Sequence, residues 1–256
     1  MARCGWGNPM RKQIHSAAIR AIAIAVAAAA TPVASVHAEV VQATMRAAGT
    51  HVDYKVVLPD GYEPEREYPA VLVFGGGPQT MRTIDGTLSR NFQPEAERRG
   101  YLVIAPAAPG GDLFFRSGDR IFPEFLDGIL AEYKVRHGKF HVAGPSNGGI
   151  AAFHVAAQHP DYFLSVTAFP GYMWQPSQAK LEAIAGLCVF TYVGEHDEYR
   201  WHEEMRREAE FLSAIGTVAS YEVETGQPHR IATLADSQAG RLFDGFERAE
   251  QGCRLR

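Results

Sequence analysis

The feature that most constrains the fold is an alternation of two kinds of sequence segment along the chain from about residue 68 onward. Short apolar runs rich in β-branched and aromatic residues, which favour strands, are separated by longer stretches with helical spacing. The runs are residues 70–74, 101–105, 140–143, 163–169, 187–193 and 218–223. Strand, helix and strand repeated in this way predict a mostly parallel sheet with helices on both faces.

Two of the helical stretches are clear, and a hairpin precedes the alternating region. Their apolar positions recur at intervals of three and four over 122–133 and 201–212. A further helix is predicted at 150–158, where it follows a glycine-rich turn and is stopped by Pro160. Residues 40–47 and 52–59 flank the turn-like sequence Ala48-Gly49-Thr50, which predicts an antiparallel N-terminal hairpin. In open parallel sheets chemistry collects at the carboxyl ends of strands, so functional residues are expected there.

The first 38 residues differ from the rest of the chain. They contain four basic residues and no acidic one, an apolar stretch at 21–30, and the small residues of Val36-His37-Ala38. This pattern predicts a signal peptide, residues 1–38, cleaved after Ala38, and a single domain at 39–256. Ten apolar residues are too few to span a bilayer, so no stable membrane insertion is expected afterwards. An uncleaved interfacial anchor is the alternative, and Met10 competes with Met1 as the start.

Charge and cysteine content narrow the class of partner. After removal of the first 38 residues the chain keeps 21 basic and 29 acidic residues, a net charge of −8, which makes nucleic acid an unfavourable partner. Cys188 and Cys253 remain in what should be an oxidising compartment. A disulfide between them and a free Cys188 buried in its strand both stay open.

Gly144, Ser146 and Gly148 form a Gly-x-Ser-x-Gly sequence between the predicted strand at 140–143 and the predicted helix at 150–158. Such a strand-to-helix turn holds the serine in a strained conformation, and the glycines leave room for neighbouring chain. The helix start that follows points backbone N–H groups at a developing oxyanion. The pattern predicts Ser146 as a nucleophile; a glycine-rich turn without chemistry is the alternative.

A serine hydroxyl needs a base and an acid that orients the base. Asp197 follows the strand at 187–193, and His229 is the only histidine after the strand at 218–223. These two residues complete the chain order Ser, Asp, His that is typical of this architecture. Glu195 is the rival acid. The histidines that flank the elbow, His141, His154 and His159, are expected to pack or to face solvent.

Acyl transfer also requires backbone donors for the negative charge of the intermediate. The N–H of Asn147 is the first candidate, and the glycines after the strand at 70–74, Gly76 or Gly77, offer the second; the sequence does not rank them. The cluster Glu195-His196-Asp197 with nearby His202 and Glu203 follows no metal-ligand spacing, so neither a metal nor a cofactor is expected.

With these residues in place, the chain resembles the α/β-hydrolases of the compact secreted esterase type, such as feruloyl esterases and polyhydroxybutyrate depolymerases. The resemblance covers nearly all of residues 39–256. Its motifs are Leu58-Pro59-Asp60-Gly61-Tyr62, Tyr68-Pro69, Arg99-Gly100-Tyr101, the elbow at 144–149 and His229. One departure concerns the oxyanion loop, where many relatives carry a histidine and this chain has Phe74; Pro145 before the nucleophile is also less usual.

The resemblance implies an α/β-hydrolase fold without a large lid and a secreted or periplasmic hydrolase of carboxylic esters. The substrate would be a small or polymeric ester, cleaved through an acyl-enzyme. Aromatic residues near the predicted strand ends are candidates for binding the acyl group: Phe114, Phe115, Trp174, Tyr199 and Trp201. A serine peptidase or acyltransferase with the same triad, and a binding protein on a hydrolase scaffold, remain alternatives.

Overall fold

The computed structural model describes residues 39–253. The predicted signal peptide, residues 1–38, lies outside the described residues, so its cleavage after Ala38 stays a prediction. Eight strands form one sheet in the order β1-β2-β4-β3-β5-β6-β7-β8. The strands are β1 Val40–Ala47, β2 Thr50–Val57, β3 Tyr68–Val73, β4 Leu102–Pro106, β5 Val135–Gly144, β6 Phe163–Ala168, β7 Cys188–His196 and β8 Ala219–Pro228. The β1–β2 and β2–β4 pairs are antiparallel and the others parallel, which confirms the predicted sheet and hairpin.

Within residues 39–253, seven α-helices connect or follow the strands. They are α1 Met81–Thr87, α2 Gln93–Arg99, α3 Glu124–Glu132, α4 Asn147–Gln158, α5 Gln178–Ala183, α6 His202–Ala214 and α7 Gly240–Glu250. A π-helical turn, Leu88–Phe92, joins α1 to α2. The sequence patterns at 122–133, 150–158 and 201–212 correspond to α3, α4 and α6.

The two faces of the sheet carry separate cores. In β3, Ala70 and Leu72 point to one face and Val71 and Val73 to the other, as the two-residue period of a strand requires. Helices α3 to α6 cover the first face, and α1, α2 and α7 cover the second. Because both faces are buried, β3 is buried throughout, which explains its continuous apolar run.

Cys188 at the start of β7 and Cys253 after α7 form a disulfide, with their Cα atoms 5.7 Å apart. The sequence left open whether Cys188 is free or paired with Cys253, and the structure contains the disulfide. It ties the chain beyond α7 to the central sheet. Within residues 39–253, no helix combines the length and the hydropathy needed to cross a membrane.

Candidate active site

Ser146 occupies the sharp turn between β5 and α4. Its φ of 55° and ψ of −124° are a strained conformation for a residue with a side chain. The Ser146 N–H donates to the carbonyl oxygen of Pro170 at 2.7 Å, which holds the turn against the end of β6. A Cβ on Gly144 would lie 2.6 Å from the carbonyl oxygen of Phe74, and one on Gly148 would collide with the same oxygen. Glycine is therefore required on both sides of the serine.

The register of β7 and β8 brings Asp197 and His229 together. His196 at the end of β7 pairs with Pro228 at the end of β8, so the next residue of each strand, Asp197 and His229, leaves the sheet beside the other. Gly194 permits this close approach, because a Cβ there would collide with the carbonyl oxygen of Pro228. Both residues thus emerge at the carboxyl edge of the sheet, where Ser146 lies.

The three side chains form a continuous hydrogen-bonded chain. Ser146 Oγ lies 2.9 Å from His229 Nε2, and His229 Nδ1 lies 3.1 Å from each carboxylate oxygen of Asp197. The carboxylate is buried and also accepts the Tyr199 N–H at 2.8 Å. Since a carboxylate only accepts, Nδ1 carries the proton of the neutral ring and Nε2 is free to accept one from the hydroxyl.

The rival acid, Glu195, forms no hydrogen bond with the His229 side chain, whose Nδ1 contacts Asp197. Its Oε2 accepts the N–H of Gly226 at 2.8 Å and so links the ends of β7 and β8. His202 donates from Nε2 to the Gly194 carbonyl at 2.7 Å. The charged residues around Asp197 are therefore engaged separately, and within residues 39–253 no three His, Cys, Asp or Glu side chains are grouped to hold a metal.

Backbone donors lie next to Ser146. Gly76 approaches the elbow so closely that a Cβ there would be 3.2 Å from the Pro145 carbonyl oxygen and 3.8 Å from Ser146 Cβ. The Asn147 side chain donates to the Gly77 carbonyl at 2.9 Å, which joins the glycine loop to the elbow. No group in the described part of the chain accepts from the backbone N–H of Gly76, Gly77 or Asn147. All three N–H groups are available to an oxyanion.

A pocket of about 400 Å³ opens beside Ser146 and His229. The glycine loop and elbow form one wall, α1 and the π-helical turn a second, and the segment after β8 a third. The other lining residues are Thr83, Gly86, Thr87, Arg90, Asn91, Pro145, Phe169, Arg230 and Ile231.

None of the five aromatic residues predicted to bind substrate lines this pocket. Phe114 and Phe115 are buried, with the Phe114 ring 4.8 Å from that of Phe74 and the Phe115 ring 5.1 Å from that of Trp174. The expectation that Phe114 and Phe115 face the pocket is therefore corrected, because their rings fill the core beneath the loops. Tyr199 and Trp201 instead contact His229, at 4.5 and 4.8 Å between ring centroids.

Comparisons with known proteins identify similar sequences and similar folds. A family model described as "Putative esterase" matches residues 119–214. A ferulic acid esterase from Anaeromyces mucronatus superposes with a TM-score of 0.63 at 16% identity, covering 82% of this chain and 89% of its own. An S-formylglutathione hydrolase from Agrobacterium tumefaciens gives 0.61 at 15% identity, over 82% and 94%.

The chain is an α/β-hydrolase by fold. Dipeptidyl-peptidase 5 of Porphyromonas gingivalis is 30% identical over 128 residues, which are 45% of this chain and 19% of the peptidase. The chain thus spans about a fifth of the length of that curated relative. The resemblance to esterases of the superfamily is confirmed, and peptidases are also among the similar proteins.

Sequence reasoning missed Gln79, a buried residue whose side chain bonds to the elbow beside Ser146. Its side-chain amide donates to the Asn147 carbonyl at 3.2 Å, and its side-chain oxygen accepts the Phe114 N–H at 3.0 Å. Gln79 therefore joins the glycine loop, the elbow and the loop after β4. The one available indication was a polar residue directly after Gly-Gly-Gly-Pro, which is not distinctive in sequence.

A second serine, histidine and carboxylate set lies inside the fold. His141 of β5 is fully buried, with Nδ1 2.8 Å from Ser165 Oγ of β6 and Nε2 3.4 Å from Glu250 Oε1 of α7. Its ring stacks on Phe246 at 4.9 Å. His141 thus packs in the interior, as expected of the histidines that flank the elbow.

Proposed function

We propose that the protein is a secreted serine hydrolase that cleaves carboxylic esters through an acyl-enzyme. The observation that carries the proposal is the contact of Ser146 Oγ with His229 Nε2 at 2.9 Å, on a strained elbow, with Asp197 behind the imidazole. The similarity to esterases and peptidases supports a hydrolase, and the choice of esters is the finer part of the proposal.

Each step of the proposed reaction uses a group described above. Ser146 Oγ attacks the ester carbonyl while His229 Nε2 takes the hydroxyl proton, and Asp197 stabilises the resulting imidazolium. The Asn147 N–H and a glycine-loop N–H, of Gly76 or Gly77, donate to the oxyanion. The intermediate collapses as His229 returns the proton to the leaving alcohol, and a water molecule activated by His229 then hydrolyses the acyl-enzyme.

A fluorophosphonate probe tests the nucleophile. We expect the purified protein to be labelled on Ser146, as identified by mass spectrometry of the modified peptide, and Ser146→Ala to lose the label and ester hydrolysis together. Ser165→Ala is the matched control, because Ser165 also contacts a histidine but is buried away from the pocket. Labelling that persists in Ser146→Ala, or its absence from the unaltered protein, would refute the mechanism.

Export is a separate part of the proposal. The predicted signal peptide and the Cys188–Cys253 disulfide, which an oxidising compartment favours, support it. When the full chain is expressed, we expect the exported protein to begin at Glu39 by N-terminal sequencing. A protein that retains Met1 or Met10 at its N-terminus would refute cleavage after Ala38.

A peptidase is the second candidate, favoured by the similarity to dipeptidyl-peptidase 5. The same triad attacks amides, so substrate choice separates the two. A panel of short p-nitrophenyl esters, feruloyl esters and dipeptidyl p-nitroanilides provides the test. Turnover of the anilides with inert esters would replace the esterase proposal by the peptidase.

A further inference from the structure

The pocket beside Ser146 has an uneven distribution of charge. Two of its lining residues are arginines: Arg90, on the π-helical turn, and Arg230, directly after His229. No carboxylate side chain is among its lining residues. In a chain whose residues after position 38 carry a net charge of −8, the surroundings of the nucleophile are thus locally basic.

Neither arginine is neutralised by the protein. Within the part of the chain that the structure describes, Arg90 and Arg230 form no ion pair and donate no side-chain hydrogen bond. Arg99, on the adjoining helix α2, shows the contrast, since Glu95, Asp244 and Glu247 all contact it. The donors of Arg90 and Arg230 are therefore available to a ligand.

The backbone that carries the two arginines is held in place by buried contacts. Asn91, next to Arg90, is buried and donates from its side chain to the Leu234 carbonyl at 2.7 Å, which links the π-helical turn to the segment after His229. Ile231, next to Arg230, is buried against the second core. A π-helical turn is a feature that often marks functional sites.

We propose that the substrate is an ester with an anionic group, recognised by Arg90 and Arg230, on a short apolar body. The apolar part would lie against Phe169 and Ile231, which also line the pocket. The planar guanidinium suits a carboxylate, phosphate or sulfate because its N–H groups match two oxygens at once. This inference rests on the proposed function, since it assigns the substrate class of the same nucleophile.

Matched pairs of esters test the inference and show which side of the ester carries the charge. For the acyl side, the pair is p-nitrophenyl hydrogen glutarate and its methyl ester; for the alcohol side, 4-acetoxybenzoate and methyl 4-acetoxybenzoate. We expect kcat/KM to favour the anion by roughly tenfold or more in one pair, as charge-assisted hydrogen bonds require. The preference should shrink in 0.5 M NaCl, which screens exposed charges. No preference for the anion in either pair would overturn the inference.

Charge-matched variants connect the preference to the pocket. In Arg90→Gln with Arg230→Gln we expect the anion preference, the ratio of kcat/KM for the charged ester to kcat/KM for its uncharged partner, to fall to about one. Arg46→Gln with Arg82→Gln removes the same charge from exposed positions outside the pocket and should keep the preference. A preference that survives the first double variant, or is lost in the second, would overturn the inference.

A binding measurement keeps this test separate from the proposed function. Glutaric acid monoanilide has the same charge as the ester and its methyl ester lacks the charge; both are measured in the Ser146→Ala background, where neither is turned over. By calorimetry we expect the acid to bind roughly tenfold or more tightly, and the difference to vanish in the Arg90→Gln, Arg230→Gln protein. Equal affinities would refute the anion site even if esters are hydrolysed. Failure of fluorophosphonate labelling with the affinity difference intact would refute the hydrolase and keep the anion site.

Discussion

This fold contains two sets of contacting serine, histidine and carboxylate side chains. The two sets have similar composition but differ in backbone strain, in access and in the orientation of the histidine ring. In the first, Ser146, His229 and Asp197 meet at the carboxyl edge of the sheet beside a pocket. In the second, His141 contacts Ser165 and Glu250 within the interior. Both imidazoles touch aromatic rings, so neither contact with a serine nor aromatic packing distinguishes an active site.

The distinguishing properties are strain, access and the orientation of the ring. Ser146 has a φ of 55°, whereas Ser165 is an ordinary strand residue in β6. His229 presents Nε2 to its serine and Nδ1 to its acid; His141 presents the reverse, and its side chain is fully buried. Ser146 also lies beside the backbone N–H groups of Gly76, Gly77 and Asn147, which have no acceptor among the described residues. Chemistry requires these additional features, and the following predictions test whether they separate the two sets.

Removing the acid from each set should produce the largest contrast. Asp197→Asn keeps the shape of the side chain but favours the wrong tautomer of His229, and kcat should fall on the order of 10⁴-fold, as in comparable triads. Glu250→Gln should leave kcat within a few-fold. Ester hydrolysis by both variants, with circular dichroism to confirm folding, provides the measurement.

The rival acid supplies the control for this prediction. Glu195→Gln retains an oxygen that can accept the Gly226 N–H, and it should leave kcat within a few-fold. A large loss in Glu195→Gln together with a small loss in Asp197→Asn would exchange the roles of the two acids. Equal losses in Asp197→Asn and Glu250→Gln would remove the distinction between the two sets.

The elbow and the residues after β7 and β8 could be predicted because their chemistry is local in sequence. Glycines beside Ser146 are required by backbone contacts within a few residues and with Phe74 at the end of the neighbouring strand β3. The strand ends follow from the apolar runs. The pairing of His196 with Pro228 was not visible in sequence, yet the parallel order of the sheet sufficed to expect Asp197 and His229 at one edge.

The pocket could not be predicted in the same way. Phe114 and Phe115 lie in a loop after β4, and the direction of their rings depends on packing against Phe74 and Trp174, which are distant in sequence. Arg90 lies on a π-helical turn, which has no simple sequence period. The direction of a side chain in an irregular segment depends on tertiary packing. The residues that line the pocket could therefore be identified only from the structure.

His141 of the second set should contribute to the pH dependence of the free energy of unfolding. Burial lowers the pKa of His141, although the nearby Glu250 opposes this effect. The folded state thus holds the neutral ring, and the unfolded chain, with a pKa of about 6.5, binds the proton more readily. The stabilisation contributed by neutral His141 is therefore fully present above about pH 6.5, and it is lost as the pH falls from there through the lower pKa of the folded state. One such group changes the free energy of unfolding by up to about 1.4 kcal/mol per pH unit.

Urea unfolding between pH 5.5 and 7.5 measures this dependence. In His141→Asn, whose side chain can still bond to Ser165, we expect the slope of the free energy of unfolding against pH to be less positive than in the unaltered protein. His159, whose pKa is also lowered by burial, contributes a slope of the same sign, and Glu208, whose pKa burial raises to about 7, contributes a slope of the opposite sign. His159→Asn tests the first of these contributions. The pH profile of kcat/KM should be the same in His141→Asn and the unaltered protein. An unchanged stability slope, or a shifted activity profile, would contradict this separation of roles.

The aromatic neighbours of the two imidazoles should give the smallest contrast. Tyr199 is 62% exposed and covers His229 with its ring centroid 4.5 Å away, while Trp201 contacts the same ring from another side. An aromatic contact of this kind contributes about 0.5–1.5 kcal/mol, so Tyr199→Ala should reduce kcat/KM about two- to tenfold and Tyr199→Phe hardly at all. Phe246→Leu, at the ring that stacks on His141, should lower the melting temperature and leave kcat/KM unchanged.

A reduction beyond about a hundredfold in Tyr199→Ala would mean that Tyr199 contacts the substrate, as its sequence position first suggested. No reduction would mean that Trp201 and Asp197 suffice to hold the imidazole.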